Sequence, residues 1–141
     1  MLELLYKLTA LGIYCKDAHY AFNGVNFKPL HEWADEISDP IYDWQDELKE
    51  HYYLFQGVSV PRGVDINAKA VDYVPTSLTS NEEILSNILA ILSMIHADIS
   101  KLSAQEADKV GLCDVFSKID NHVMKHMGLL NLALLKGSND D

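Results

Sequence analysis

The chain has 141 residues, 48% of them hydrophobic, with 21 acidic against 11 basic side chains and a formal net charge of −10. A chain this long fits one domain, expected over residues 1–141, which can hide roughly two-thirds of its unfolded surface without disulfides or a structural metal. The acidic balance, with no local cluster of Lys or Arg, argues against a grip on nucleic acid phosphates and suits the attraction of divalent cations.

Cys15 and Cys113 lie far apart and form no CxxC or Cys/His zinc spacing, and the N-terminus lacks the charged, apolar, small-residue order of a signal peptide. A cytoplasmic protein is expected. Ser86, Asn87 and Ser93 interrupt the most apolar stretch, which leaves no run near the roughly 18 residues of a membrane span.

Leu4, Leu8, Leu11, Cys15, Ala18 and Phe22 alternate four and three residues apart, which predicts a first helix over about 2–22. Asn23 and Gly24 break it, and Asn26 is placed to cap a second helix whose first turn tolerates Pro29. That second segment runs over about 27–55 to Gly57, with Pro40 inside it predicting a kink or two abutting helices.

Between Gly57 and Ser80 the chain carries Pro61, Gly63 and Pro75 without a sustained period and reads as a long crossover connection. Ser80 with Glu82 and Glu83 starts a third helix, and Ile84, Ile88, Ile91, Ile95, Ile99 and Leu102 carry it to about residue 103. Phe116, Ile119, Val123, Met127, Leu130 and Leu134 mark a fourth, closed by Lys136 and Gly137 ahead of the polar end Ser138 to Asp141. The expected class is all-α, a four-helix bundle with one long crossover between helices two and three.

The second segment carries two pairs at i and i+4, His31 with Asp35 and Asp46 with Glu50, each on one helix face. Imidazole and carboxylate together suit iron, zinc or manganese. Within one chain the pairs cannot share an ion, since the residues from His31 to Asp46 span about 22 Å of helix. Two copies running antiparallel across a twofold axis near Pro40 would bring each His31/Asp35 to the partner's Asp46/Glu50, giving two equivalent sites per dimer. His19, at the edge of the first apolar stripe, could add an imidazole on the His31 side.

The segment HYAFNGVNFKPLHEWADEISDPIYDWQDELKE resembles the signature of the Dps family: a His plus an aromatic residue, a Gly-x-x-Phe turn, Leu-His-Glu, an Asp, then Asp-Glu-x-x-Glu. His19, His31, Asp35, Asp46 and Glu50 are separated by 12, 4, 11 and 4 residues, the register of that family's ferroxidase ligands. Met124, Lys125 and His126 resemble its Glu-Lys-His stretch more weakly. The resemblance implies a ferritin-like fold, a hollow dodecamer, iron(II) oxidation mainly by hydrogen peroxide, and a ferric mineral stored inside. It implies that His19, His31 and Asp35 bind iron from one subunit and Asp46 and Glu50 from its twofold mate, with zinc or manganese as substitutes. Ferritins that build a di-iron site within one bundle use Glu-x-x-His elements, and this chain has none.

Some positions depart from that pattern. Tyr20 replaces the usual Trp after the first His, Gly128 stands where a Trp is common, and His51 stands where an Arg usually follows the last Glu. These departures, with Pro40, leave room for a catalytically weak shell that binds zinc, manganese or a partner. Asp108, Asp114 and Asp120 resemble in position the acidic residues of the family's threefold iron-entry pores. DNA protection by direct binding is not expected: the chain ends in Asp140 and Asp141 rather than a Lys-rich tail, and twelve copies would carry 12 × (−10) = −120. His122 and His126, also i and i+4, are expected to be structural rather than a zinc pair, and Trp33 and Trp44 to pack the core, near enough to the ligands in sequence to quench radicals.

Overall fold

A computed structural model describes residues 1–139, with side chains through Leu135; the acidic end at Asp140 and Asp141 lies outside the described residues. The six helices are α1 (Leu2–Ala21), α2 (Phe27–Ser38), α3 (Ile41–Tyr52), α4 (Gly63–Ala70), α5 (Asn81–Gln105) and α6 (Val110–Asn139), and no strand occurs among the described residues. Four rods make the bundle: α1, the α2–α3 pair, α5 and α6. The first packs against α2, α3 and α5, while α6 packs against α5 and α3. That puts the α2–α3 rod diagonally across from α5, with the long connection crossing between them.

The stripes read from the sequence are the core. Leu4, Leu8, Leu11, Cys15 and Ala18 of α1 are fully buried and meet Ile84, Ile88, Ile91, Ile95 and Ile99 of α5 and Phe116, Ile119, Val123 and Leu130 of α6 in one cluster. Burying each such aliphatic side chain contributes about 1.5–3 kcal/mol before chain entropy is subtracted. Helix α5 is long and apolar enough to cross a membrane by length and composition, contrary to the expectation that no stretch would be. Its apolar face is already buried against α1 and α6, as in a core helix.

One open expectation is settled, in favour of two abutting helices at Pro40, and two others change. The second segment is not one helix: helical conformation persists through Asp39, whose N–H bonds to the Asp35 carbonyl at 2.8 Å, and Pro40 then serves as the N-cap of α3, its carbonyl accepting from Trp44 N–H at 3.1 Å. Proline has no N–H to continue the ladder, so two abutting helices form. Asn26 stands at the start of α2 but makes no side-chain cap bond. Ser80, by contrast, accepts from Glu83 N–H at 3.1 Å, as its sequence context predicts.

The crossover also contains a helix of its own. In α4, Ile66 and Ala70 are one turn apart, buried, and packed toward α1. Farther on, Tyr14 O–H donates to the Ser77 carbonyl at 2.8 Å and accepts from Asn87 Nδ2 at 3.0 Å, tying the connection to both α1 and α5.

Candidate metal centre

The end of α1 and the start of α2 place His19 and His31 face to face. Their rings stack with centroids 3.4 Å apart and planes 23° from parallel. His19 Nδ1 lies 3.0 Å from the His31 carbonyl oxygen, and His31 Nδ1 lies 2.5 Å from the His19 carbonyl oxygen. A carbonyl only accepts, so each Nδ1 is the donor. In a neutral imidazole the lone pair then belongs to Nε2, leaving it available to a metal. A backbone carbonyl that fixes the tautomer of a histidine is a common outer partner of metal-binding imidazoles.

Asp35, one turn beyond His31, joins this cluster with Oδ1 3.1 Å from His19 Nδ1. A third neighbour escaped the sequence reading: Lys16, one turn before His19, holds its ammonium 3.8 Å from the same carboxylate oxygen. The i, i+3 spacing of Lys16 and His19 was its signal. Cys15 beneath them is no ligand candidate, because burial, and secondarily the charge of Asp35, push its thiol up to about 12.

Asp46 and Glu50 lie on α3, away from this cluster, and among the described residues no three His, Cys, Asp or Glu side chains of one chain, His19, His31 and Asp35 included, are arranged to hold a metal ion by themselves. What links Asp35 and Asp46 is a groove of about 850 Å³, lined by both and by Lys16, Tyr42, Gln45 and Ile66 among others. Its walls are α1, α2–α3 and α4. Tyr42 stands 85% exposed on its rim, while Gln45 is buried and bonds from Nε2 to Thr9 Oγ1 at 2.6 Å, fixing α3 to α1. One chain therefore places Asp35 and Asp46, one residue of each candidate set, on a shared concave face.

The remaining candidates have other partners. His122 Nε2 donates to the Ile37 carbonyl at 3.1 Å, and His126 Nδ1 accepts from Trp33 Nε1–H at 3.1 Å, so these histidines tie α6 to α2. Burial lowers both, His126 to about 4. His51 packs on Gly111, where a Cβ would come within 3.1 Å of the imidazole. Asp120 pairs with His96 at 2.7 Å, Asp108 precedes α6, and Asp114 is exposed near that helix's start.

The fold is a four-helix bundle in which His19, His31 and Asp35 gather where α1 meets α2, with Asp35 on the wall of the groove. The chain is similar to the X-ray structure of Dps from Thermosynechococcus elongatus, with a TM-score of 0.80 and 20% identity over 93% of this chain and 85% of that one. It is also similar to CAIP of Helicobacter cinaedi, with a TM-score of 0.72 and 21% identity over 94% of this chain and 98% of that one. No family model and no curated protein matches the sequence. At these identities the likeness establishes the fold, which is that of Dps.

Proposed function

We propose that this chain is a ferroxidase of the Dps type, which oxidises iron(II) with hydrogen peroxide and stores the ferric product inside a hollow dodecamer, in the cytoplasm. The observation that carries the reading is the reciprocal pair of Nδ1–H bonds between His19 and His31, which leaves both Nε2 lone pairs free, with the Asp35 carboxylate 3.1 Å from the His19 ring. Those three side chains bind iron(II) from one subunit, and Asp46 and Glu50 of a second copy, seated in the groove, complete the site. A mixed histidine and carboxylate set suits iron(II) and then the harder iron(III). Consuming peroxide and iron(II) together removes the two reactants that generate hydroxyl radical, which is the protective benefit.

The test is complementation. Subunits carrying His31→Ala with Asp35→Ala, and subunits carrying Asp46→Ala with Glu50→Ala, are each expected to lose rapid iron oxidation. Mixed by co-expression, they form heterodimers in which one of the two sites is intact, and oxidation returns in part. Failure to recover it from correctly assembled mixtures would overturn the shared site.

One observation favours a second reading, a shell whose weakened hold on iron gives no useful turnover. The Lys16 ammonium beside Asp35 competes with an incoming cation for the carboxylate. Weak iron(II) binding without iron-dependent loss of peroxide would decide for that reading.

A further inference from the structure

Trp33 is two residues from both His31 and Asp35, and at 3.6 residues per turn it projects from roughly the opposite side of α2. There its indole Nε1–H donates to His126 Nδ1 across the α2–α6 contact. His126 is fully buried. With Nδ1 accepting, the ring's own proton is on Nε2, and that atom is the one fully buried side-chain nitrogen or oxygen without a hydrogen-bond partner among the described residues. Leaving a buried donor unpaired opposes folding, because the group has lost its water without gaining a partner. Glu36 Oε1 lies 4.0 Å from that Nε2 and is itself paired with the Lys125 ammonium at 3.3 Å. The tautomer rules out a metal on Nε2, so the arrangement points elsewhere: a buried base hydrogen-bonded to an indole, with a carboxylate placed behind it.

We propose that Trp33 is a one-electron donor to the iron site and that His126 accepts its indole proton. The inference rests on the iron and peroxide reading above. When peroxide meets a site holding a single iron(II), its O–O bond takes one electron from iron and one from Trp33, giving two hydroxide ions and iron(III). The Nε1–H bond of Trp33 breaks and an Nδ1–H bond forms on His126, leaving a neutral indolyl radical and an imidazolium. Charge and atoms balance without hydroxyl radical being released. Moving the proton keeps a cation radical out of the low-dielectric bundle, where an uncompensated charge is costly. Glu36, shared with Lys125, offsets part of the imidazolium charge across 4.0 Å. Burial resists that charge and draws the proton back once the radical is reduced, so the step is reversible.

The experiment is freeze-quenched electron paramagnetic resonance on the assembled protein loaded with one iron(II) per two sites and given peroxide, with ring-deuterated tryptophan to identify the radical. A neutral tryptophan radical is expected in wild type and in the Trp44→Phe control, and is lost in Trp33→Phe. In His126→Gln, whose amide oxygen still accepts the indole bond but takes no proton, the neutral radical also disappears. Persistence of the signal in Trp33→Phe, or its absence from wild type while iron is oxidised, overturns the proposal. If wild type oxidises no iron, the failure is that of the ferroxidase reading, and pulse radiolysis with azide radical on metal-free protein decides the remainder. Trp33 must then lose its proton more slowly in His126→Gln than in wild type, and equal rates overturn the assignment of His126.

Discussion

His19 and His31 lock one another: stacked at 3.4 Å, each directs its Nδ1–H to the other's backbone carbonyl. A lost imidazole therefore removes one proposed ligand and loosens the second. His31→Ala is expected to weaken first-metal binding by about 10- to 100-fold, and His19→Ala by a comparable factor although His19 is the more buried ring. Isothermal titration with zinc, with circular dichroism to confirm the fold, reads both. Full-strength binding by either variant would remove that histidine from the site.

Lys16 makes the opposite prediction. Its ammonium is largely exposed and sits 3.8 Å from Asp35 Oδ1, where an exposed pair contributes about 0.2–1 kcal/mol. A metal must displace it, so Lys16→Met is expected to tighten first-metal binding by about 1.5- to 5-fold and to reduce the effect of added salt on affinity. Titration of wild type and variant at low and at physiological ionic strength checks this. Weaker binding in the variant would mean that Lys16 positions Asp35 rather than blocking it.

The pH dependence has a sign. Burial, then the neighbouring His122, hold His126 down at about 4, against an ordinary histidine value of 6.5. Between those values the unfolded chain binds a proton at this position that the folded chain does not. Its contribution to stability is therefore complete above about 6.5 and is lost as pH falls toward 4. Below 4 both states are protonated and this group adds no further slope. Urea midpoints from pH 7 to 4.5 should decline less in His126→Gln than in wild type. Parallel curves would show that His126 is not the buried neutral base that the Trp33 hydrogen bond requires.

How much of this was legible beforehand follows from which signals are local. The i, i+3, i+4 stripes of α1, α5 and α6 are local; α1 and α5 end close to where those stripes do, whereas α6 runs on to Asn139, past the Lys136 and Gly137 expected to close it. Pro40 announced its break because the missing N–H belongs to the residue itself. Helix α4 was not legible, because eight residues with only Ile66 and Ala70 buried are too short to establish a period against Gly63 and the flanking prolines. The donor types and spacing of His31/Asp35 and Asp46/Glu50 could be read, but not the carbonyl bonds of His19 and His31, which need α1 and α2 folded together. The Trp33–His126 bond joins residues 93 apart in sequence, and nothing near either residue foretells it.

Tyr14 tests the anchoring of the crossover. Its hydroxyl donates to the Ser77 carbonyl and accepts from Asn87, so Tyr14→Phe leaves two partners with less than they had. A cost of about 1–3 kcal/mol is expected, read as a lower urea midpoint with an unchanged slope. A loss near zero would mean that water replaces the hydroxyl.

The groove makes the most direct demand on assembly. Tyr42 stands 85% exposed on its rim, two residues past Pro40 and one turn before Asp46. On a monomer so exposed a large aromatic ring is unremarkable, since single apolar residues at a surface are common. At the centre of a twofold contact between two copies of α2–α3 the same ring meets its mate, and buried aromatic anchors at interface centres are worth about 2 kcal/mol or more. Tyr42→Arg places two cations against each other in such a contact and should weaken pairing by at least about 30-fold, while leaving the helical content intact. Sedimentation velocity over a range of concentrations distinguishes the outcomes. Smaller species that also lose zinc binding would tie the shared site to this face, whereas an unchanged assembly would place the twofold contact elsewhere and separate Asp35 from the partner's Asp46 and Glu50.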